Sequence, residues 1–518
     1  MNVHKIPFEE TGLLSQMFLD YIRQKPELKD YYSFSPSIEG LEAALKTRQF
    51  SKKNRLILHE VLMEQYGPLA KREANFSNIL SLQEEHTFTV TTGHQLNIFT
   101  GPLYVIFKII SAINLAKKLK AAFPDYNFVP VYWMASEDHD FEEINHFHLF
   151  GKKYVWETEQ RGPVGRFAPQ SLNFVMEQLP EFARVFEHAY LDHSTLAESV
   201  RFYMHELFGD QGLVVVDADH ERLKQLFSPI VEADLFEQKS NDLVEETSAR
   251  LSNAGYSTQV FPRKINFFYL NGFRERILEV NGVFSVNNTD LTFTKEELRE
   301  DLKRNPQRFS PNVIMRPLYQ EVILPNIAYL GGPSEVTYWL QLKDNFDHFN
   351  IAFPVLLARN FAMIVNKGLS KKVKKLSLPA TSLFKSTHEL KAWYLEHFQK
   401  NEHLLDKEKA EINDIFDRIT TKAATIDKSL EGFIGAEGAK TYKSLDNIQK
   451  RLKKSLENQN ELAMNQISGI KEKLFPNGVP QERYDNYLNF ALNNPNFIQT
   501  LLDNFDPLEF SYYQFWET

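Results

Sequence analysis

The chain contains no cysteine. Disulfides, thiolate zinc sites, iron–sulfur clusters and cysteine nucleophiles are excluded, so covalent chemistry borne by the protein must use Ser, Thr, Lys, His or a carboxylate. A basic excess is also missing. Against 68 Asp and Glu stand 59 Lys and Arg, a net charge of −9, with a pI near 6.0. A general nucleic-acid binder needs a basic footprint to displace phosphate counterions, and that class is excluded; local basic clefts are not. No apolar run approaches the roughly 20 residues that span a bilayer. The longest, Leu103 to Ile113, is interrupted by Lys108. The opening MNVHKIPFEETG has no basic region leading into an apolar stretch, so no signal peptide and no membrane contact are expected and a cytoplasmic location is. Neither common phosphate loop, G-x-x-x-x-G-K-[ST] or G-x-G-x-x-G, occurs.

What is present is an ordinary globular composition, 43% hydrophobic and 25% charged with 42 Phe, over 518 residues. At about 100–200 residues per domain this predicts two to four units. Residues 1–85 read as a helical segment packing on the core, with Leu41, Ala44, Leu45, Leu56, Ile57, Val61 and Leu62 near helical spacing. At His86 the texture changes. HTFTVTTGHQ is a β-branched strand entering a Gly loop, GPLYVIFKIISAINLAKKLKAA is a helix with Pro102 at its start, and NFVPVYWMASEDHD is a second buried strand. Strand, helix and strand in about fifty residues are the βαβ signature of a parallel sheet, so the class is α/β.

Residues 152–169 predict a hairpin-like insertion, and GLVVVDADH (212–220) a further strand followed by one long helix to about Asn253. Gly331-Gly332-Pro333 separates a short strand from a helix beginning near Ser334, and Pro354–Val365 offers another strand. The core is thus placed at 86–382. In 383–475, Ile412, Phe416, Ile419, Ala423, Ile426, Leu430 and Phe433 alternate steps of four and three, a heptad seam. A second seam runs from Leu445 to Leu474, and GFIGAEGA (432–439) is read as the turn of an antiparallel coiled-coil hairpin. Such a hairpin predicts a homodimer. Residues 476–518 read as a tail docking on the core.

Three polar segments could carry chemistry. The first is Thr91-Thr92-Gly93-His94-Gln95 with Asn97 and Thr100-Gly101-Pro102. Ligands bind beyond the carboxyl ends of parallel strands; there Gly93 lets backbone approach, His94 and Gln95 can hydrogen-bond an anion, and the helix opening near Gly101 attracts one. The second is Glu137-Asp138-His139-Asp140, where crowded carboxylates suit proton transfer or Mg²⁺ accompanying a nucleotide. The neighbouring Glu142 to His148, despite His146-x-His148, lacks zinc-ligand spacing and reads as a solvated loop and edge strand. The third is Asn312, Arg316, Gln320, Gly331-Gly332-Pro333, Glu335, Tyr338 and Gln341. Gly331-Gly332 is a potential amide cradle, and Arg316 either captures a carboxylate or phosphate or pairs with a core acid. Arg359 is a weaker candidate, and the basic run Lys367 to Lys375 reads as a solvated face.

TTGHQLNIFTGPLYVIFKIISAINLAKKLK, VPVYWMASEDHDFEEINH and PNVIMRPLYQEVILPNIAYLGGPSEVTYWLQLKDNFDHF, in this order and with the helical hairpin and NGVPQER (477–483) after them, resemble the bacillithiol biosynthesis cysteine-adding family, BshC. The resemblance implies a Rossmann-like core with two connecting insertions, similar to nucleotidyltransferases, and a coiled coil that supports dimerisation. It implies a ligase that joins L-cysteine to glucosaminyl-malate in an amide, completing bacillithiol. Class I nucleotidyl-transfer enzymes use H-x-G-H where this chain has T-x-G-H at Thr91 to His94, so one histidine stands where those enzymes use two. Ser334 stands where the family often has Gly or Ala.

Amide formation from a free carboxylate needs activation, so ATP or another nucleotide, which Mg²⁺ can accompany, is the expected cofactor; no residue is assigned as a metal ligand, and the metal requirement is left open. In this scheme Gly93, His94 and Gln95 stabilise developing negative charge. Asp138, His139 or Asp140 takes the proton of the attacking amine, and Arg316 or Arg359 holds the malate carboxylates. Asn97, Gly101, Glu137, Gly331, Gly332, Glu335, Tyr338 and Gln341 complete the expected binding site. The rival readings are a nucleotidyltransferase-like enzyme acting on another sugar or amino acid, and a non-catalytic coiled-coil scaffold with a degenerate nucleotide-binding core.

Overall fold

The computed structural model describes residues 1–180, 184–398 and 405–517. Its contacts divide into two compact units. One comprises Lys5–Ala362 with Glu482–Tyr513; the other comprises Met1–His4, Met363–Gln481 and Gln514–Thr518.

The first unit is built on a five-stranded parallel sheet. Its strands are β1 (Thr87–His94), β2 (Asn127–Met134), β3 (Val214–Asp217), β4 (Asn326–Gly331) and β5 (Val355–Ala358), in spatial order β5-β4-β1-β2-β3. The chain moves outward from β1 through β2 to β3, then returns beside β1 as β4 and leaves the other way. Connections therefore diverge between β1 and β4, the switch point beyond which ligands bind in open α/β sheets. Register aligns the strand ends, with His94 opposite Met134 and Met134 opposite Asp217.

The reason β1 and β2 form strands is plain in their composition. β1 is TFTVTTGH, and alternate residues serve the two faces of the sheet. Phe88 and Val90 pack with Leu41, Ala44 and Leu45 of the helix Ile38–Thr47, and with Ala112, Leu115 and Leu119 of α1 (Tyr104–Ala122). Thr89 and Thr91, on the other face, donate to Asn326 Oδ1 at 3.1 and 2.8 Å. Asn326 in turn donates to Glu321, which pairs with Arg48. The hydroxyl of Thr91 is thus spent inside the sheet.

Two insertions decorate this frame. Between β2 and β3 lies an antiparallel hairpin, His146–Leu149 with Lys152–Val155. It opens earlier than the expected 152, because Phe150 and Gly151 both adopt positive φ (52° and 83°) and make the tight turn. Between β3 and β4 lies a five-stranded antiparallel sheet containing Phe267–Leu270, Arg274–Val280, Val283–Val286, Thr292–Phe293 and Phe309–Pro311. The single long helix expected after β3 is two helices, α2 (Glu221–Glu237) and Lys239–Asn253, divided where Gln238 takes a left-handed φ of 58°. The strand expected over 354–365 is likewise two, β5 and Phe361–Val365, parted by Arg359-Asn360. Residues 1–85 are largely helical, but Asn2–Pro7 is a strand.

The contact boundary falls at 362/363 rather than at the expected 382/383, and Glu482–Tyr513 belongs to the sheet-bearing unit. Asn486 shows why: its side-chain amide donates to the carbonyls of Phe99 and Gly101 beneath the β1 loop, at 2.7 and 2.6 Å.

In the second unit, helices Asp406–Ala424 and Leu430–Gln459 pack side by side, and Glu461–Leu474 follows. Residues 399–404 of the segment read as a hairpin lie outside the described residues. The turn is at 425–429, not at the glycines. Asp427 accepts from the amide of Ser429 and starts the new helix at Leu430. Gly432, Gly435 and Gly438 lie within that helix, and a Cβ on Gly438 would come 3.2 Å from the Phe416 ring. The last glycine therefore serves close helix approach and not chain reversal. No helix among the described residues is long and apolar enough to cross a membrane.

Candidate active site

At the carboxyl ends of β1 and β2 opens a cavity of about 1040 Å³. Gly93, His94, Gln95 and Asn97 line it, as do Glu137 to Asp140, Arg316, Glu335 and Tyr338. The three polar segments legible in the sequence do meet at one rim. Arg263, Arg274 and Arg276 enter from the inserted antiparallel sheet and the segment before it.

The first wall is organised by Lys108. It projects from the second turn of α1 with 3% of its side chain exposed, donates to Gly93 O at 2.8 Å and pairs with Glu335. Glu335 also accepts from Tyr329 Oη and from the Gly332 amide, both at 2.8 Å. Burial pushes the Glu335 carboxyl up, but Lys108 and these donors outweigh it and hold the pKa at about 2. Glu335 is thus a fixed anion that ties the end of β4 to the end of β1. The same bonds occupy the expected amide cradle: the Gly332 N–H is satisfied by Glu335, and neither Gly331 nor Gly332 lines the cavity. A Cβ at Gly331 would meet the Glu335 Cβ at 2.8 Å, which explains a glycine there.

His94 sits beside this pair. Its Nε2 lies 3.3 Å from Tyr104 Oη, and its ring packs edge-on at 5.2 Å from the Tyr104 ring. Desolvation, then the positive charge of Lys108, lower its pKa to about 3. His94 is neutral at physiological pH, a hydrogen-bonding group and not the cation an anion site would use. Asn97 donates to Glu143 O at 3.1 Å, while its Oδ1 is buried without a partner. Gly101 does not line the cavity. At φ 63° it clears the Asn97 side chain, which a Cβ would approach to 2.5 Å, so its role is to let the loop close over Asn97. The first free amide of the following helix, Leu103 N, is taken by Asp485 O at 2.8 Å.

The second wall is acidic. Glu137 pairs with Lys224 of α2, which also donates to Phe309 O at 2.8 Å. Burial raises the Glu137 pKa against the pull of Lys224. Asp138 is raised by burial too, opposed by Arg274, whose Nη2 lies 3.5 Å away. Arg274 is a clamp: Nε donates to Ser310 Oγ, Nη2 to Pro311 O and Nη1 to His139 Nδ1, at 3.1, 3.0 and 3.1 Å. A guanidinium only donates, so Nδ1 accepts and the neutral ring carries its proton on Nε2, 3.9 Å from Asp140. Asp138 combines a raised pKa with a side chain 30% exposed, whereas Glu137 is 12% exposed and fastened. Of the two, Asp138 can exchange protons with a ligand. Among the described residues no three His, Asp or Glu side chains converge as metal ligands.

The third wall is Arg316, at the start of helix α3 (Arg316–Ile323). Its guanidinium stands among the rings of Trp133, Tyr329 and Trp339 at 5.8, 5.6 and 5.9 Å. Nη1 donates to Gln320 Oε1 at 3.1 Å; Nη2 is buried with no partner. That orphan donor fits a carboxylate or phosphate oxygen.

Besides Gly101, Gly331 and Gly332, two further expected binding residues lie outside the cavity. Arg359 pairs with Glu482 at 2.6 Å, both side chains essentially inaccessible, and does not line the cavity. Gln341 is buried and pins the segment before the inserted sheet, bonding Gln259 N, Val260 N, Val260 O and Ser248 Oγ. Sequence reasoning missed Lys108, Lys224, Arg263, Arg274 and Arg276. For Lys108 a signal was present: a lone lysine in an otherwise buried helix needs a buried partner.

Two family models match this chain. One describes the N-terminal Rossmann-like domain of bacillithiol biosynthesis BshC and covers residues 1–360; the other describes the BshC C-terminal coiled-coil domain and covers residues 362–515. Among curated relatives, a protein of Cytophaga hutchinsonii is 41% identical over 511 residues, 98% of each chain, and one of Flavobacterium psychrophilum is 41% identical over 518 residues, 97% of each. A Bacillus cereus relative is 28% identical over 538 residues, 97% of this chain and 98% of its own. All three bear the name "Putative cysteine ligase BshC".

Proposed function

The chain belongs to the bacillithiol biosynthesis BshC family, and on that premise we propose that it is a cytoplasmic ligase joining the carboxyl group of L-cysteine to the amine of glucosaminyl-malate, the closing step of bacillithiol formation. One observation carries this reading. A single cavity combines a proton-accepting carboxyl at Asp138, a neutral hydrogen-bonding His94 and the orphan donor of Arg316.

A nucleotide such as ATP supplies the activation, converting the cysteine carboxylate into an acyl-phosphate or acyl-adenylate with a competent leaving group. Arg316 Nη2 and the Gln95 amide hold the negative oxygens at the activated carbonyl. The amine attacks that carbonyl carbon; the C–N bond forms, the C–O bond to the leaving group breaks, and the amine proton passes to Asp138. His94, neutral, accepts or donates a hydrogen bond without adding charge.

The test is incubation with cysteine, glucosaminyl-malate and ATP, with the thiol product followed by mass and pyrophosphate distinguished from phosphate. We expect conjugate formation, lost by at least a hundredfold in Asp138→Asn. Wild-type protein that forms no conjugate with any nucleoside triphosphate under these conditions would refute the reading.

The second unit is proposed to make a homodimer. Its helices leave seam residues Ile419, Phe433, Ile448 and Leu452 at 40–64% exposure, more apolar surface than a lone helical pair keeps in water. Sedimentation equilibrium at micromolar concentration is expected to return twice the chain mass.

A further inference from the structure

Part of the charge lining the cavity is neutralised within the protein. Glu335 is matched by Lys108, Glu137 by Lys224, and Asp138 by Arg274. Six lining charges are left over. Glu143 has no ion pair among the described residues, and Asp140 has only His139 at 3.9 Å; both sit just beyond β2. Arg263 and Arg276, on the side of the inserted sheet, also have no ion pair among the described residues. Glu275, beside Arg276, lines the cavity too and among the described residues accepts only from Asn288 Nδ2 at 3.2 Å, and Arg316 on the third wall has no ion pair among them. The free guanidinium groups of Arg263 and Arg276 nevertheless lie on the inserted-sheet side, with the free carboxylates of Asp140 and Glu143 beyond β2.

Both arginines are free ends on fixed backbones. Arg263 N donates to Asn266 Oδ1 at 3.0 Å and its carbonyl accepts from Asn266 Nδ2 at 2.8 Å; Asn266 is itself held by Asp234. Gln341 fastens the chain just ahead of Arg263. Arg276 is two residues from Arg274 on one strand, so both share a face, and its carbonyl accepts from Asn287 N at 2.8 Å. Arg274 spends its guanidinium on Asp138, Ser310 and Pro311, and Arg276 does not. A guanidinium is a rigid planar fork matched to a carboxylate, and anchoring its backbone lowers the ordering cost of binding.

We infer that Arg263 and Arg276 grip the two carboxylates of the acceptor's malate group, orienting its amine toward Asp138 and Asp140. The inference rests on the ligase reading and adds the direction in which the acceptor lies. A ligand with an amine at one end and two carboxylates at the other can set its carboxylates on Arg263 and Arg276 with its amine toward the free carboxylates beyond β2. The inserted sheet is then the specificity element of the site, set apart from the strand ends that perform the chemistry.

The test is calorimetric binding of glucosaminyl-malate and of methyl glucosaminide, which lacks malate, to the full-length protein and to the double variant Arg263→Gln/Arg276→Gln. Arg304→Gln, an exposed arginine outside the cavity, is the control. The double variant is expected to keep the wild-type melting temperature, to weaken glucosaminyl-malate at least tenfold, and to leave methyl glucosaminide unchanged. In turnover it should raise the KM for glucosaminyl-malate and spare kcat at saturation. A double variant that binds glucosaminyl-malate like wild type, or that weakens both ligands equally, overturns the orientation while the ligase reading survives. Wild-type protein that binds neither compound overturns the ligase reading and this inference with it.

Discussion

Lys108→Met is the substitution that tests most directly how the site is held together. Lys108 is 3% exposed and Glu335 26% exposed at the side chain, so removing the ammonium strands a largely buried carboxylate and also leaves Gly93 O without its donor. Breaking a buried ion pair from one side costs about 3–5 kcal/mol. The partial exposure of Glu335 places this case near the lower bound, about 3 kcal/mol. The double variant Lys108→Met/Glu335→Gln removes the stranded charge, and a glutamine with its oxygen at the Oε2 position still accepts from Gly332 N while its amide nitrogen can donate to Tyr329 Oη. It should recover most of the loss.

The chain forms two units, so one global unfolding energy is a poor readout. Local hydrogen exchange is the better assay, followed on peptides covering 87–94 and 326–340. A loss of about 3 kcal/mol raises exchange through sub-global opening by roughly a hundredfold. The double variant should fall within tenfold of wild type. Exchange in Lys108→Met that stays within twofold of wild type, or a double variant no slower than the single, would refute the claim that this pair couples β1 to β4.

Three further outcomes are expected. His94 has a folded pKa of about 3 against 6.5 in an unfolded chain; its contribution to stability is fully present above pH 6.5 and is lost as pH falls toward 3. Wild type should lose about 1–2 kcal/mol more than His94→Gln between pH 6.5 and 5, measured by urea titration at each pH; the comparison is made with the variant because Glu137, whose pKa is raised, titrates with the opposite sign. Arg359→Met strands Glu482 and should cost about 3–5 kcal/mol, yet the folded fraction should keep the wild-type KM for glucosaminyl-malate, since the pair lies outside the cavity. In the second unit, Gly435→Ala faces open space and should stabilise its helix by about 0.5–1 kcal/mol, whereas Gly438→Ala must displace Phe416 and should gain less or lose; thermal melts of the two variants side by side decide it.

The βαβ unit was legible because its signal is local. The strand TFTVTTGH, the helix after Pro102 and the strand FVPVYWM each declare themselves within a few residues, and parallel pairing then brings His94 and Asp138 to one rim. The inserted sheet was not legible, since RERILEV carries the charges of a solvated edge and its uncharged partners FFYL and VFSV are only four residues long; only the packed sheet turns Arg274 and Arg276 toward a cavity. The glycines of 432–439 misled for a related reason. Glycine marks both chain reversal and close helix approach, and only the position of Phe416 tells them apart.

The same contrast explains how labour is divided within the site. Residues legible from strand ends, His94, Gln95 and Asp138, take their positions from the parallel sheet, whose register is locked by buried Phe88 and Val90 on one face and by the Thr91–Asn326–Glu321 network on the other. A one-residue slip there would turn every side chain over, so the groups proposed to react are set by the most tightly specified part of the fold. Arg263 and Arg276 come from an antiparallel insert and the segment leading into it, whose attachment runs through Arg274 and the Asn266–Asp234 contact. Changing their identity leaves the parallel register untouched. Substitutions in the insert should therefore alter which acceptor is bound before they alter whether the chemistry proceeds, and substitutions at the strand ends should do the reverse.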